Sequence, residues 1–252
     1  MNAEILPASG LHLRVLSGLV MAGAAAGLVF LGGWAFVAGM ATLTALAVYE
    51  WARLVTQGQR RLFYLAAAVA ALMLALAGFI GNPAEMLIPL LVFAVLTAIF
   101  HKVRDGTGAF YLFFGLIYIT YAAQQMVWLR NFHDNGMVNA FFLIATVCAC
   151  DVFAYFFGRA IGGPKLAPVT SPKKTWAGLA GGMAGAALVA GSIAYYTPAA
   201  GLGWAGGAVL GALLALIGQG GDLLISAFKR RYQVKDTGTL IPGHGGVLDR
   251  ID

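Results

Sequence analysis

Charge is what this 252-residue chain has little of. Asp, Glu, Lys and Arg make up 10% of it, against roughly 25% in soluble domains, which excludes a water-facing surface over most of the molecule. Cysteine is equally scarce. Cys148 and Cys150 stand one residue apart, so on a helix they face different sides, and neither a disulfide framework nor a cysteine-ligated zinc site can be built from them. Histidine is limited to four residues; His12, His101 and His133 fall near the ends of apolar runs and read as interfacial, which leaves His244, set among glycines, as the one suited to acid, base or phosphate-donor work. What fills the chain is apolar: 60% hydrophobic residues and 34 glycines. That composition belongs to an integral membrane protein, and at ~20 residues per crossing the length allows about eight helices.

Apolar runs fall near residues 15–31, 34–55, 62–80, 86–100, 108–129, 137–158, 176–197 and 203–228, predicting an all-α, polytopic helical bundle. The first is a span rather than a cleaved signal, because a second run follows at once. The run at 86–100 is short and predicts tilted neighbours or a locally thinned bilayer. With a cytoplasmic N-terminus, every one of the 16 basic residues except Arg130 falls in a segment on the inner side. That asymmetry orients the bundle and accounts for the net charge of +6 without nucleic acid as a partner. It also sets the chemistry on the cytoplasmic face. Residues 1–130 are expected to be scaffold, and residues 131–252 to hold the remaining helices and the reactive loops. Glycines four apart at 178/182, 181/185 and 203/207/211 predict helix-packing faces, and faces of that kind would also permit a homodimer.

Against this apolar background the acids stand out. Asp151 lies in the sixth run and Asp222 in the eighth, where an ionised carboxylate costs several kcal/mol unless paired, solvated or metal-bound. Counting to the basic residues that end their runs puts both ~10–12 Å below the surface, a depth at which they can share one cavity. Ser226 follows Asp222 by four and Lys229 follows Ser226 by three, so one helix face presents acid, hydroxyl and ammonium in order. Asp249 and Asp252 are three apart and share a face if a helix begins there. Residues 219–252 also hold Lys229, Arg230, Arg231, Lys235, His244 and Arg250. Carboxylates suit hard cations while Lys and Arg suit phosphate oxygens, so the mixture points to a metal-nucleotide site beside the membrane. The turn Pro242-Gly243-His244-Gly245-Gly246 predicts backbone N–H groups open to an anion. Lys173 and Lys174 ahead of Thr175-Trp176, with Arg159 and Lys165, serve either as inside-facing charge or as phosphate ligands. Glu50 is expected to pair with Arg53, three residues on. A cation- or proton-coupled transporter using Asp151 and Asp222 is the alternative from another class; it leaves the basic tail without work.

Two stretches carry a family resemblance. Ser226-x-x-Lys229-Arg230, Lys235-Asp236, Pro242-Gly243-His244-Gly245-Gly246 and Asp249-Arg250-x-Asp252 together resemble the C-terminal signature of the phosphatidate cytidylyltransferases. Asp151-x-x-Ala154-Tyr155, Gly158-Arg159, Lys165-Leu166-x-Pro168 and Ser171-Pro172-Lys173-Lys174-Thr175-Trp176 resemble the loop motif that precedes it. The resemblance implies a membrane enzyme that joins CTP to phosphatidic acid, giving CDP-diacylglycerol and pyrophosphate, or in a relative activates another lipid phosphate. It implies Mg2+ or Mn2+, with K+ also associated, held at Asp222, Asp249 and Asp252. Lys229 joins those acids in catalysis, with Asp151 as a further candidate. Arg159, Ser171, Lys173, Lys174, Ser226, Arg230, Lys235, His244, Gly245, Gly246 and Arg250 are placed against substrate. Two departures stand out: Ala177 follows Trp176 where the family has Glu, and relatives continue past Asp252 with Ser and a further apolar helix.

Overall fold

A computed structural model describes residues 8–56, 60–103, 108–197, 201–238, 240–241 and 245–251. The elements in order are helices α1 (Ala8–Leu31), α2 (Gly33–Thr56), α3 (Arg60–Ile80), α4 (Pro83–Val103), α5 (Ala109–Asn131) and α6 (Gly136–Ala160), strands β1 (Lys165–Ala167) and β2 (Ser171–Thr175), then α7 (Trp176–Tyr196), α8 (Gly203–Arg231) and the short α9 (Leu248–Ile251). Seven of these, α2 to α8, are long and apolar enough to cross a membrane, while α1 contributes the shorter apolar stretch Leu16–Leu31 among the described residues. The chain is an all-α polytopic membrane protein, close to the eight spans that its apolar runs predict.

The fourth apolar run lies within α4, which covers 21 residues, about 31 Å at 1.5 Å per residue. Polar residues extend it beyond its apolar run at both ends. Asn82 caps the start by accepting the Ala84 N–H at 3.0 Å and donating to Glu85 at 2.8 Å, with Pro83 at the first helical position, where its missing N–H costs nothing. β1 and β2 pair antiparallel, Lys165 opposite Thr175 and Ala167 opposite Ser171, so the basic loop is a hairpin that feeds directly into α7.

Two compact units emerge. The first comprises residues 1–133 with 236–251, the second residues 134–235. The tail after residue 235 folds with the early helices. In the first unit a core of Met73, Ala77, Met86 and Leu90 ties α3 to α4. Trp51 of α2 is fully buried and donates its indole N–H to the Tyr111 carbonyl of α5 at 2.9 Å. Arg130, the one basic residue assigned to the far side, is spent structurally: its guanidinium donates to the Val29 and Phe30 carbonyls at the end of α1, satisfying helix-terminal acceptors.

The second unit is built on close backbone approach. Gly178 and Gly182 of α7 face α6, and a Cβ on either would stand 3.0 Å from a carbonyl oxygen, of Ala154 and Cys150 respectively. Gly211 of α8 faces α7, with a Cβ position 2.6 Å from the Ala186 oxygen. These are the packing faces that the four-residue spacing predicts. Gly203 is the exception. It has φ +60 and open space around its Cβ position, so it serves the turn into α8, where a left-handed residue favours glycine.

Candidate active site

The second unit holds a cavity of about 350 Å3, within the range of small-molecule sites. Its wall takes Asp151, Tyr155 and Arg159 from α6, Lys173, Lys174 and Thr175 from β2, Gly178 from α7, and Gln219 and Asp222 from α8. Asp151 and Asp222 therefore share one space, as their matched depth predicts.

Local structure explains how the side chains arrive there. On β2 successive residues point to opposite faces: Lys173 is exposed, whereas Lys174 turns inward and forms an ion pair with Asp222. The strand ends in Thr175, buried at 4% exposure, whose hydroxyl accepts the Gly178 N–H at 3.0 Å and caps α7. The Trp176 N–H donates to the Pro164 carbonyl at 3.2 Å, which fastens the base of the hairpin. Gly158 and Gly178 keep α6 and α7 close here, since a Cβ on either would stand 3.2 Å from the Thr175 hydroxyl.

Asp222 is held from both sides, by Lys174 and by the Ser226 hydroxyl, which donates at 3.2 Å one turn further along α8. Gln219, one turn earlier, donates to Asp151 at 3.5 Å and reaches the Cys150 sulfur at 3.7 Å. Arg159 donates to the Tyr155 hydroxyl at 2.9 Å across one turn of α6. The cavity thus sets two carboxylates against a lysine that already compensates one of them, with Lys173 and Arg159 as further cations. Carboxylate oxygens suit a hard divalent cation, and ammonium and guanidinium groups suit phosphate.

The other expected residues are distributed differently. Ser171, Ser226, Lys229 and Arg230 stand outside the cavity wall. Lys229 is buried at 9% exposure. Arg230 donates to the carbonyls of Thr170 at 3.3 Å and Val234 at 3.2 Å, bracing the hairpin and the end of α8. Lys165 and Lys235 are exposed. His244 and Asp252 lie outside the described residues. Of the three aspartates expected at metal, Asp222 is in the second unit and Asp249 in the first. Among the described residues no three His, Cys, Asp or Glu side chains gather closely enough to hold a metal ion.

In the first unit the tail forms a tight structure of its own. Ile241 and Gly245 exchange backbone hydrogen bonds at 2.8 and 3.2 Å, with Gly245 at φ +89, where glycine is favoured. Asp249 accepts the N–H groups of Thr237 at 2.8 Å and Gly246 at 3.0 Å through one oxygen. The N–H groups of Gly245 and Gly246 are thus taken up within the tail, by Ile241 and Asp249, while residues 242–244 of the expected anion turn lie outside the described residues. Arg250 sits in α9 beside Asp249.

Glu50 corrects an expectation. Its carboxylate does not serve Arg53, which is exposed; it accepts from the Val247 and Leu248 N–H groups at 3.1 and 2.9 Å and from the Thr237 hydroxyl at 3.1 Å. The signal was available, since an acid inside an apolar span calls for a specific partner. The nearby arginine supplied a false one.

Comparison with known proteins agrees with this chemistry. The profile of the cytidylyltransferase family matches residues 12–252. A phosphatidate cytidylyltransferase of Brucella abortus is 36% identical over 244 residues, covering 97% of this chain and 89% of the relative. Phosphatidate cytidylyltransferases of Rickettsia bellii, 41% identical over 56% of this chain and 63% of the relative, and of Bacillus subtilis, 38% identical over 54% and 50%, are also similar. With its profile matched almost from end to end, this chain belongs to the cytidylyltransferase family.

Proposed function

We propose that this protein is a phosphatidate cytidylyltransferase, converting CTP and phosphatidic acid to CDP-diacylglycerol and pyrophosphate in phospholipid biosynthesis. The observation that carries the proposal is the pairing of Lys174 with Asp222 in a cavity shared with Asp151, Lys173 and Arg159. A phosphate oxygen of phosphatidate attacks the α-phosphorus of CTP. The bond from that phosphorus to the oxygen bridging the β-phosphate breaks, and pyrophosphate leaves with the bonding electrons. The lipid phosphate is itself the nucleophile, so the site needs no nucleophilic Ser or Cys.

The residues present divide this work. Lys174 neutralises Asp222 before substrate arrives; an incoming triphosphate offers the ammonium a more highly charged partner and releases the carboxylate. Lys173 and Arg159 supply further positive charge at the cavity wall, where phosphates are held for in-line displacement. Two carboxylates in one cavity fit Mg2+ or Mn2+, with Asp222 and Asp151 as the oxygen donors. When bound, such an ion would neutralise charge developing at the phosphorus and on the departing pyrophosphate. The resemblance also assigns Asp249 and Asp252 to metal and associates K+ with the centre; no feature of the donor set calls for K+. For orientation we place the N-terminus and the hairpin on the cytoplasmic side of a bacterial inner membrane, supported by the distribution of the basic residues.

The test is CTP-dependent pyrophosphate release in mixed micelles containing phosphatidate, with Mg2+ titrated, for wild type and Asp222→Asn. The proposal expects release that requires both substrates and falls at least about a hundredfold in the variant. Release indifferent to the substitution would return the paired acids to an ion pathway.

A further inference from the structure

We propose that Glu50 is a positioning residue: from inside α2 it fixes the glycine-rich tail that carries Asp249 and Arg250. The inference rests on the cytidylyltransferase reading, which gives those two side chains something to act on. Glu50 is 1% exposed, and a carboxylate buried in an apolar helix persists only when hydrogen bonds replace its water. Among the described residues, all three of its hydrogen-bond donors come from the tail. Val247 N–H donates to Oε1 at 3.1 Å, while Leu248 N–H and the Thr237 hydroxyl donate to Oε2 at 2.9 and 3.1 Å. Thr237 continues the chain, donating its own N–H to Asp249 at 2.8 Å, and the Gly246 N–H joins at 3.0 Å. A run of hydrogen bonds therefore leads from the buried acid through Thr237 to the Asp249 carboxylate.

The glycines support the same account. A Cβ added at Gly238 or at Gly246 would run into the Glu50 carboxylate, so the tail closes on Glu50 because those two positions have no side chain. Val247 and Leu248 are buried at 6% and 2% exposure on either side of the contact. The Glu50 carboxylate is committed to the tail. Its influence passes through the backbone it holds, which separates it from a catalytic residue.

The experiment combines hydrogen exchange with steady-state kinetics on the full chain in phosphatidylcholine micelles containing phosphatidate. In Glu50→Ala the amides of residues 246–248 are expected to exchange at least about tenfold faster, with the amides of α2 still protected. Per folded molecule, kcat falls about tenfold to a hundredfold while KM for phosphatidate holds. Glu50→Gln, which keeps one carbonyl acceptor and the side-chain volume, recovers part of both. Should Glu50→Ala not fold, Gly238→Ala gives the same readings from the other side, because its methyl group displaces the carboxylate without removing it. Unchanged tail exchange in Glu50→Gln and Gly238→Ala, or a reduced yield of folded protein with kcat intact, overturns the proposal. If wild type releases no pyrophosphate from CTP and phosphatidate, the functional reading fails and the positioning role goes with it, even where exchange responds.

Discussion

At the scale of single residues, several of the chain's few charges have a defined task. Lys174 and Asp222 neutralise each other, with side chains 20% and 36% exposed, so water screens the pair and its worth lies in chemistry more than in stability. Lys174→Ala is accordingly expected to leave the melting temperature within a few degrees of wild type. Pyrophosphate release should fall about a hundredfold, and a modest kinetic effect would show that another cation meets the nucleotide. Arg130 has the opposite profile. It satisfies the Val29 and Phe30 carbonyls at the end of α1, so Arg130→Ala should cost about 1–3 kcal/mol, read as a lower melting temperature in detergent, with turnover at 25 °C unchanged.

At the scale of elements, the hairpin and the two helices after it depend on backbone fit. Thr175 both ends β2 and caps α7 through the Gly178 N–H. Thr175→Ala is expected to cost about 1 kcal/mol of stability and, because Lys174 precedes it, to weaken turnover as well. Thr175→Ser should restore both, which thermal unfolding and the release assay together can check. Gly211 lets α8 meet α7 at its backbone, and Gly211→Val would force a Cβ to 2.6 Å from the Ala186 oxygen. The helices must separate to accept it, so the variant should lose its monodisperse profile in size-exclusion chromatography, whereas Gly218→Ala, with open space at its Cβ position, should keep it.

At the scale of the whole molecule, the proposed orientation makes a prediction of its own. Val169 is 86% exposed in the turn between β1 and β2, and Asp134 is exposed between α5 and α6, at opposite ends of α6. In a background with Cys148 and Cys150 replaced by Ser, an impermeant maleimide should label Asp134→Cys in intact spheroplasts. Val169→Cys should react only after lysis. The reverse pattern would invert the bundle and move the cavity to the other face of the membrane.

Composition and hydropathy by themselves determined the membrane class, the positions of nearly all the helices, the small-residue packing faces and the shared depth of Asp151 and Asp222. These are properties of local periodicity, which a chain expresses wherever its apolar runs are long enough to cross a bilayer. The motifs around Lys173, Lys174 and Asp249 likewise carried the family. The tertiary structure alone decided which groups spend their hydrogen bonds on each other. It turned Lys174 onto Asp222, used Arg230 to brace carbonyls, closed the glycine turn through Asp249, and gave Glu50 to a tail about 190 residues away. Spacing within one helix pointed Glu50 to Arg53, because a contact between distant segments leaves no periodic trace in sequence; a buried carboxylate takes whichever donors the fold brings within hydrogen-bond reach.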